Sequence, residues 1–197
     1  MKFAKCYEVF NEQQINESYQ IDGDKIVSNI ETENIKRIVK EFVQNIQFPI
    51  FFFMEVPCTK QEEDELNGSN KITLHKKIYY LDYCPKEFAD EIIEKDLDVL
   101  LNCGMCEFGF GSINNDEIYI CKYNIVNFYS ENNINKYKQI LDKNNIPQTN
   151  NITTVWDTLT PAHPARTNSL EINGVQCKDL IAKYVNNGMH LYEIAEE

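Results

Sequence analysis

From Ile35 onward, apolar residues recur at Ile35, Ile38, Val39, Phe42, Val43 and Ile46, spacings of three and four that set all six on one side of a helix. Glu33 and Arg37 stand four apart on the polar side, where opposite charges support a helical turn. The next stretch, Phe48 to Val56, reads FPIFFFMEV and is apolar at successive positions. That is the pattern of a central strand covered on both faces.

Around these two elements the pattern is less regular. Residues 2–10 (KFAKCYEVF) read as a strand, and Asp22-Gly23-Asp24 marks a turn in the polar stretch behind it. Leu74 to Tyr83 reads as another strand, separated from the central one by an acidic loop with Gly68. Pro85 suits a first helical turn, and Phe88, Ala89, Ile92, Ile93, Leu97, Leu100 and Leu101 carry one helix or two short ones to a cap at Gly104. Cys106 to Gly111 and Glu117 to Phe128 form a hairpin around Asn114-Asn115-Asp116. A short helix from Glu131 to Leu141 with Ser130 as its N-cap, a strand at Leu170 to Ile172, a helix from Val175 to Asn187 and a strand from His190 to Ala195 complete the reading.

Residues 144–169 have no period and contain Pro147, Pro161 and Pro164. With no Gly-, Ser- or Pro-rich linker and no internal repeat, 197 residues at 43% hydrophobic content predict a single α+β domain. Its expected architecture is a mixed sheet of about six or seven strands packed with three or four helices. The long irregular segment lies at about 144–169.

Charge narrows the function. The chain carries 31 acidic and 19 basic residues, a net charge of −12 and a pI near 4.7, with Arg37 and Arg166 its only arginines. Nucleic-acid binding depends on clustered cations, so no nucleic-acid partner is expected. The first third is the most acidic: from Glu8 to Glu65 there are 13 acidic residues against five basic ones. Glu62, Glu63, Asp64 and Glu65 are the densest cluster, and they lack the alternation and sixth-position glycine of a calcium loop. Such a surface suits a basic protein partner, since unlike patches speed encounter.

The N-terminus lacks the apolar core of a secretory signal, and the longest apolar run, Phe48 to Met54, falls far short of the roughly 20 residues a membrane helix needs. A cytoplasmic protein with no membrane partner is the expectation. Seven scattered cysteines then read as reduced thiols.

Motifs for chemistry are sparse. Cys103-Gly-Met-Cys106 is a lone CxxC; a zinc site would need two further ligands, for which Cys84 or Cys121 are candidates. Gly109-Phe-Gly111-Ser112 lacks the third glycine of a dinucleotide loop, and GxxxxGK[ST], HExxH and GxSxG do not occur. No cofactor and no catalytic residue is therefore assigned. The segment from Val155 to Arg166 gathers the sole tryptophan, Trp156, with Asp157, His163 and Arg166, residue types favoured at interface hot spots. The sequence thus points to a cytosolic interaction protein, of the inhibitor or immunity type, that meets a basic toxin or enzyme through Glu62–Glu65 and the Trp156–Arg166 segment. The alternative is a small hydrolase-like enzyme in which Asp157 orients His163 and Cys58 or Cys106 serves as nucleophile.

Overall fold

The computed structural model describes residues 1–68 and 73–197. The strands are β1 (Tyr7–Glu8), β2 (Ser18–Asp22), β3 (Lys25–Asn29), β4 (Ile50–Pro57), β5 (His75–Cys84), β6 (Glu107–Ser112), β7 (Glu117–Ile120), β8 (Ile125–Tyr129), β9 (Arg166–Thr167) and β10 (His190–Glu196). The α-helices are α1 (Thr32–Asn45), α2 (Lys60–Asn67), α3 (Lys86–Glu91), α4 (Leu97–Leu101), α5 (Ile134–Lys143), α6 (Val155–Thr158) and α7 (Cys177–Val185), with a π-helical turn, Ile92–Asp96, joining α3 to α4. The α+β class is as the sequence predicts.

The sheet is larger and simpler than expected. Eight strands run in the order β10-β5-β4-β6-β7-β8-β3-β2, and every neighbouring pair is antiparallel. The expected mixed sheet of six or seven strands gives way to an antiparallel one in which β2-β3, β4-β5, β6-β7 and β7-β8 are sequence neighbours, while β10-β5, β4-β6 and β8-β3 join strands distant in the chain. Asp22 pairs with Lys25 across a two-residue turn whose Gly23 has φ 58°, so the polar stretch after residue 17 is itself a hairpin. The expected strand from Glu117 to Phe128 is two strands, because Tyr123 and Asn124 both adopt φ 60° and reverse the chain between β7 and β8. Asn124 holds this turn: its Nδ2 donates to the Ile30 carbonyl at 2.9 Å and its Oδ1 accepts from Ala4 N at 3.1 Å.

Other boundaries shift for local reasons. Of residues 2–10 only Tyr7 and Glu8 pair, with β9, and Leu170 to Ile172 is not a strand but one arm of a turn closed by Ile172 and Val175. The acidic loop after β4 is the helix α2, started by a reciprocal cap between Thr59 and Glu62. Gly104 caps no helix; a β-carbon there would sit 2.9 Å from the Asn168 carbonyl. Within residues 144–169 the named elements are α6 and β9.

The core lies on one side of the sheet. Ile35, Ile38, Val39, Phe42 and Val43 of α1 pack with Ile92, Ile93 and Leu97 and with Leu141, Leu180 and Tyr184 over a floor that includes Phe52, Met54, Phe108, Phe110 and Phe128. Asp96, buried at the end of the π turn, accepts from Lys183 Nζ at 2.7 Å and from the Tyr184 hydroxyl at 2.9 Å and so ties α7 to this layer. A smaller cluster of Ile15, Tyr123 and Val155 closes one end of the sheet. No helix among the described residues is long and apolar enough to cross a membrane.

Candidate protein-binding face

Side chains alternate along β4, so Phe52 and Met54 point into the helical core while Phe51, Phe53 and Glu55 point to the opposite face. The sequence pattern implied a strand covered on both sides. On the second face the rings of β4 pack against aromatic rings of neighbouring strands. Phe53 is buried, yet it belongs to neither apolar cluster.

The rings form a stripe across five strands. Tyr192 of β10 meets Tyr80 of β5 at 5.2 Å between centroids, Tyr80 stacks on Phe53 at 5.7 Å, and Phe53 meets Tyr119 of β7 at 5.3 Å. Phe51 lies 5.5 Å from Tyr80. Between β4 and β7 runs β6, which places Gly109 opposite Phe53 and Gly111 opposite Phe51. A β-carbon on either glycine would fall within 2.6 Å of the facing phenylalanine ring, so the rings lie across β6 because it has no side chains there.

Three carboxylates flank the stripe. Glu55 is paired with Lys76 Nζ at 2.5 Å, and Glu107 accepts from the Tyr119 hydroxyl at 3.2 Å and from Lys122 N at 3.1 Å. Glu117 has no hydrogen-bond or ion-pair partner among the described residues. Burial, and next the charge of Glu55, raise its pKa above the usual carboxylate range. Next to Glu107, a groove of about 600 Å³ opens between Leu74, Lys122, Trp156 and Glu197. An aromatic floor with carboxylates at its margin favours cationic side chains, through ring-face attraction and charge together.

The residues singled out from sequence do not converge. Glu62 is spent on the α2 cap and on Lys77 Nζ at 2.7 Å, which hold its pKa down at about 2. Glu63 bonds His75 Nδ1 at 2.8 Å and His75 N at 2.6 Å. Only Asp64 and Glu65 remain exposed, Glu65 accepting from Gln61. The cluster is thus half internal structure. Trp156 is half exposed, edge-on to Tyr123 at 5.0 Å, and opens onto the groove beside Glu107. Arg166 is exposed and lies 3.9 Å from Glu8 across the β1–β9 pair.

The hydrolase constellation is not assembled. Asp157 caps α6 by accepting from Thr154 N and Oγ1, both at 2.8 Å, while the exposed His163 bonds Thr160. No hydrogen bond joins His163 to Asp157 or to a cysteine. The structure does pair His75 with Glu63 in a groove that also holds Cys58. Burial, then the charges of Glu62 and Glu63, raise the Cys58 thiol, however, and it makes no hydrogen bond to His75. An activated thiolate needs the opposite environment.

The CxxC thiols are buried. Cys103 and Cys106 both adjoin Cys177, whereas Cys84 and Cys121 lie elsewhere, and among the described residues no group of three or more His, Cys, Asp or Glu is arranged to hold a metal ion.

Sequence reasoning passed over Phe51, Phe53, Tyr80, Tyr119 and Glu117. A signal was present in Phe51 and Phe53 interleaved with Phe52, and in the spacing of Gly109 and Gly111 two residues apart. Compared with known protein families, curated proteins and solved structures, the chain matches none.

Proposed function

We propose that this chain is a cytosolic interaction protein that docks a basic partner on the aromatic face of its sheet. The reading includes an inhibitor or immunity role, in which the face occludes a cationic surface of a toxin or enzyme. One observation carries it: the Phe51, Phe53, Tyr80 and Tyr119 stripe stands apart from the helical core, and Glu117 at its margin has no cation among the described residues. Within the stripe Phe53 is buried, Phe51, Tyr80 and Tyr119 are partly exposed, and Tyr192 at its end is exposed; apolar surface rimmed by charge is the ordinary form of a recognition site. The net charge of −12 supports the sign of the partner. Trp156, which shares a groove with Glu107, belongs to the rim in this reading; Asp64 and Glu65 lie on α2, which bonds Lys77 and His75, and act at a distance by steering encounter.

Capture on immobilised protein tests it, with a Phe51→Ser/Tyr80→Ser variant beside the wild type, at low and at high salt. A basic polypeptide retained by the wild type, released by salt and lost from the variant supports the reading. Retention that ignores both the variant and the salt sinks it.

A further inference from the structure

The two edges of the eight-stranded sheet are treated differently. On β2 the chain itself covers the edge: Tyr19 N donates to the Pro147 carbonyl at 3.0 Å and Thr149 N to the Tyr19 carbonyl at 2.8 Å. On β10, from His190 to Ala195, the only backbone partners among the described residues are on β5. An uncovered edge presents a row of donors and acceptors to an incoming strand. Residues His190 to Ala195 offer a template of about 20 Å at ~3.3 Å per residue.

The side chains of this edge sort by face. Leu191 and Ile194 lie opposite Tyr79 and Lys77, on the helical side, and both are exposed. Glu193 and Ala195 lie opposite Ile78 and Lys76, on the side of the aromatic stripe. The register shift between Leu191 and Glu193 makes Tyr192 the extra residue, and its ring turns onto Tyr80. The bare edge is therefore continuous with the aromatic face. It is apolar on one side, and on the other it is aromatic and acidic.

We propose that β10 receives an extended segment of the basic partner as a ninth strand, one that alternates aliphatic residues with Lys or Arg. Its aliphatic side chains would pack beside Leu191 and Ile194, and its cations would lie beside Glu193 and the Tyr192 ring. A second copy of this chain fits less well. Each copy carries −12, and two-fold antiparallel pairing about the middle of β10 sets Glu193 against Glu193. The proposal rests on the basic-partner reading above and adds to it the mode of docking.

The test uses three fluorescein-labelled peptides of equal charge against the full-length protein: an alternating Lys-Val nonapeptide, the same peptide with alternate amides N-methylated, and a version interrupted by proline. Strand addition predicts that the first binds, that the other two bind at least ten-fold more weakly, and that Glu193→Lys weakens the first by at least ten-fold. Amide shift changes on binding should concentrate in residues 190–196. Equal binding of all three peptides would overturn strand addition and leave the basic-face reading standing. Binding of none removes both, and a dimer through β10 that excludes the peptide replaces the partner strand by a second copy.

Discussion

The Phe51 ring lies across Gly111 of the neighbouring strand, so close that a β-carbon on residue 111 would sit 2.2 Å from its Cζ. Glycine inside a strand ordinarily weakens it, and alanine there ordinarily helps. Here the sign should reverse. Gly111→Ala must displace the ring or the strand and is expected to cost about 1–3 kcal/mol, the range for overpacking. In a Phe51→Ala background the same change should cost much less, because the two residues share one contact. Urea unfolding of the four proteins in this cycle checks it; additive effects would sink the explanation.

Glu117 links the face to pH. Its folded pKa is raised, so the protonated carboxyl is the form the fold prefers, and the stability it contributes is present below the usual glutamate range and lost as pH rises through the raised value. Glu117→Gln should therefore be more stable than wild type at pH 7, and the gap should close as pH falls toward 4. Thermal unfolding across that range decides it. A variant less stable at pH 7 would mean that a cation already compensates Glu117.

The α2 start is the other charged element with a worked sign. Lys77 holds the Glu62 pKa down at about 2, assisted by Thr59, so its contribution is present above the unfolded value and lost as pH falls toward 2. Thr59→Ala removes the hydroxyl that accepts from Glu62 N and should cost about 1 kcal/mol, the usual value of an N-cap. Amide exchange in Lys60–Asn67 should quicken before the global unfolding midpoint moves by more than that.

Asp96 anchors α7 through a lysine and a buried tyrosine hydroxyl. Removing it leaves the Tyr184 hydroxyl without a partner in the core, so Asp96→Ala is expected to cost about 3 kcal/mol. Tyr184→Phe removes the donor together with its need and should cost only about 1 kcal/mol. Equal losses from the two variants would show that the carboxylate acts elsewhere.

The thiols should be quiet in the folded protein. Burial raises Cys6 and Cys84 to about 12 and raises Cys58 and Cys121 as well, while the mutually adjacent Cys103, Cys106 and Cys177 are also raised. At neutral pH a thiol-exchange reagent should react first at Cys58, which with Cys121 is only partly buried and is the less strongly raised of the two, and reach all seven cysteines only after unfolding. Loss of the first phase in Cys58→Ser confirms the assignment; rapid reaction of three or more thiols in the native protein contradicts it.

What the sequence by itself determined were the elements whose pattern is local. The α1 stripe from Ile35 to Val43 is buried as its spacing requires, and β4 and the final strand fall where their runs of apolar residues place them. These follow from 3.6- and two-residue periods, which need no knowledge of neighbours. The α+β class followed from their alternation, and the net charge of −12 followed from composition alone.

Tertiary structure decided the rest. Phe51, Phe52 and Phe53 are one uninterrupted apolar run in the chain; only the position of the helices reveals that Phe52 faces the core while its neighbours face outward. Gly109 and Gly111 acquire meaning only when β4 lies beside β6, 55 or more positions away in sequence but directly opposite in register. In the acidic run Glu62 to Glu65, Glu62 is tied to Lys77 and Glu63 to His75, partners that the sheet brings back against α2. Asp157 and His163, close in sequence, are each occupied by a nearer hydroxyl. In the first three cases the deciding contact comes from elements distant in the chain, which no local period encodes; in the fourth each side chain is held by a threonine three residues away, and among the described residues the fold brings no other partner to displace it.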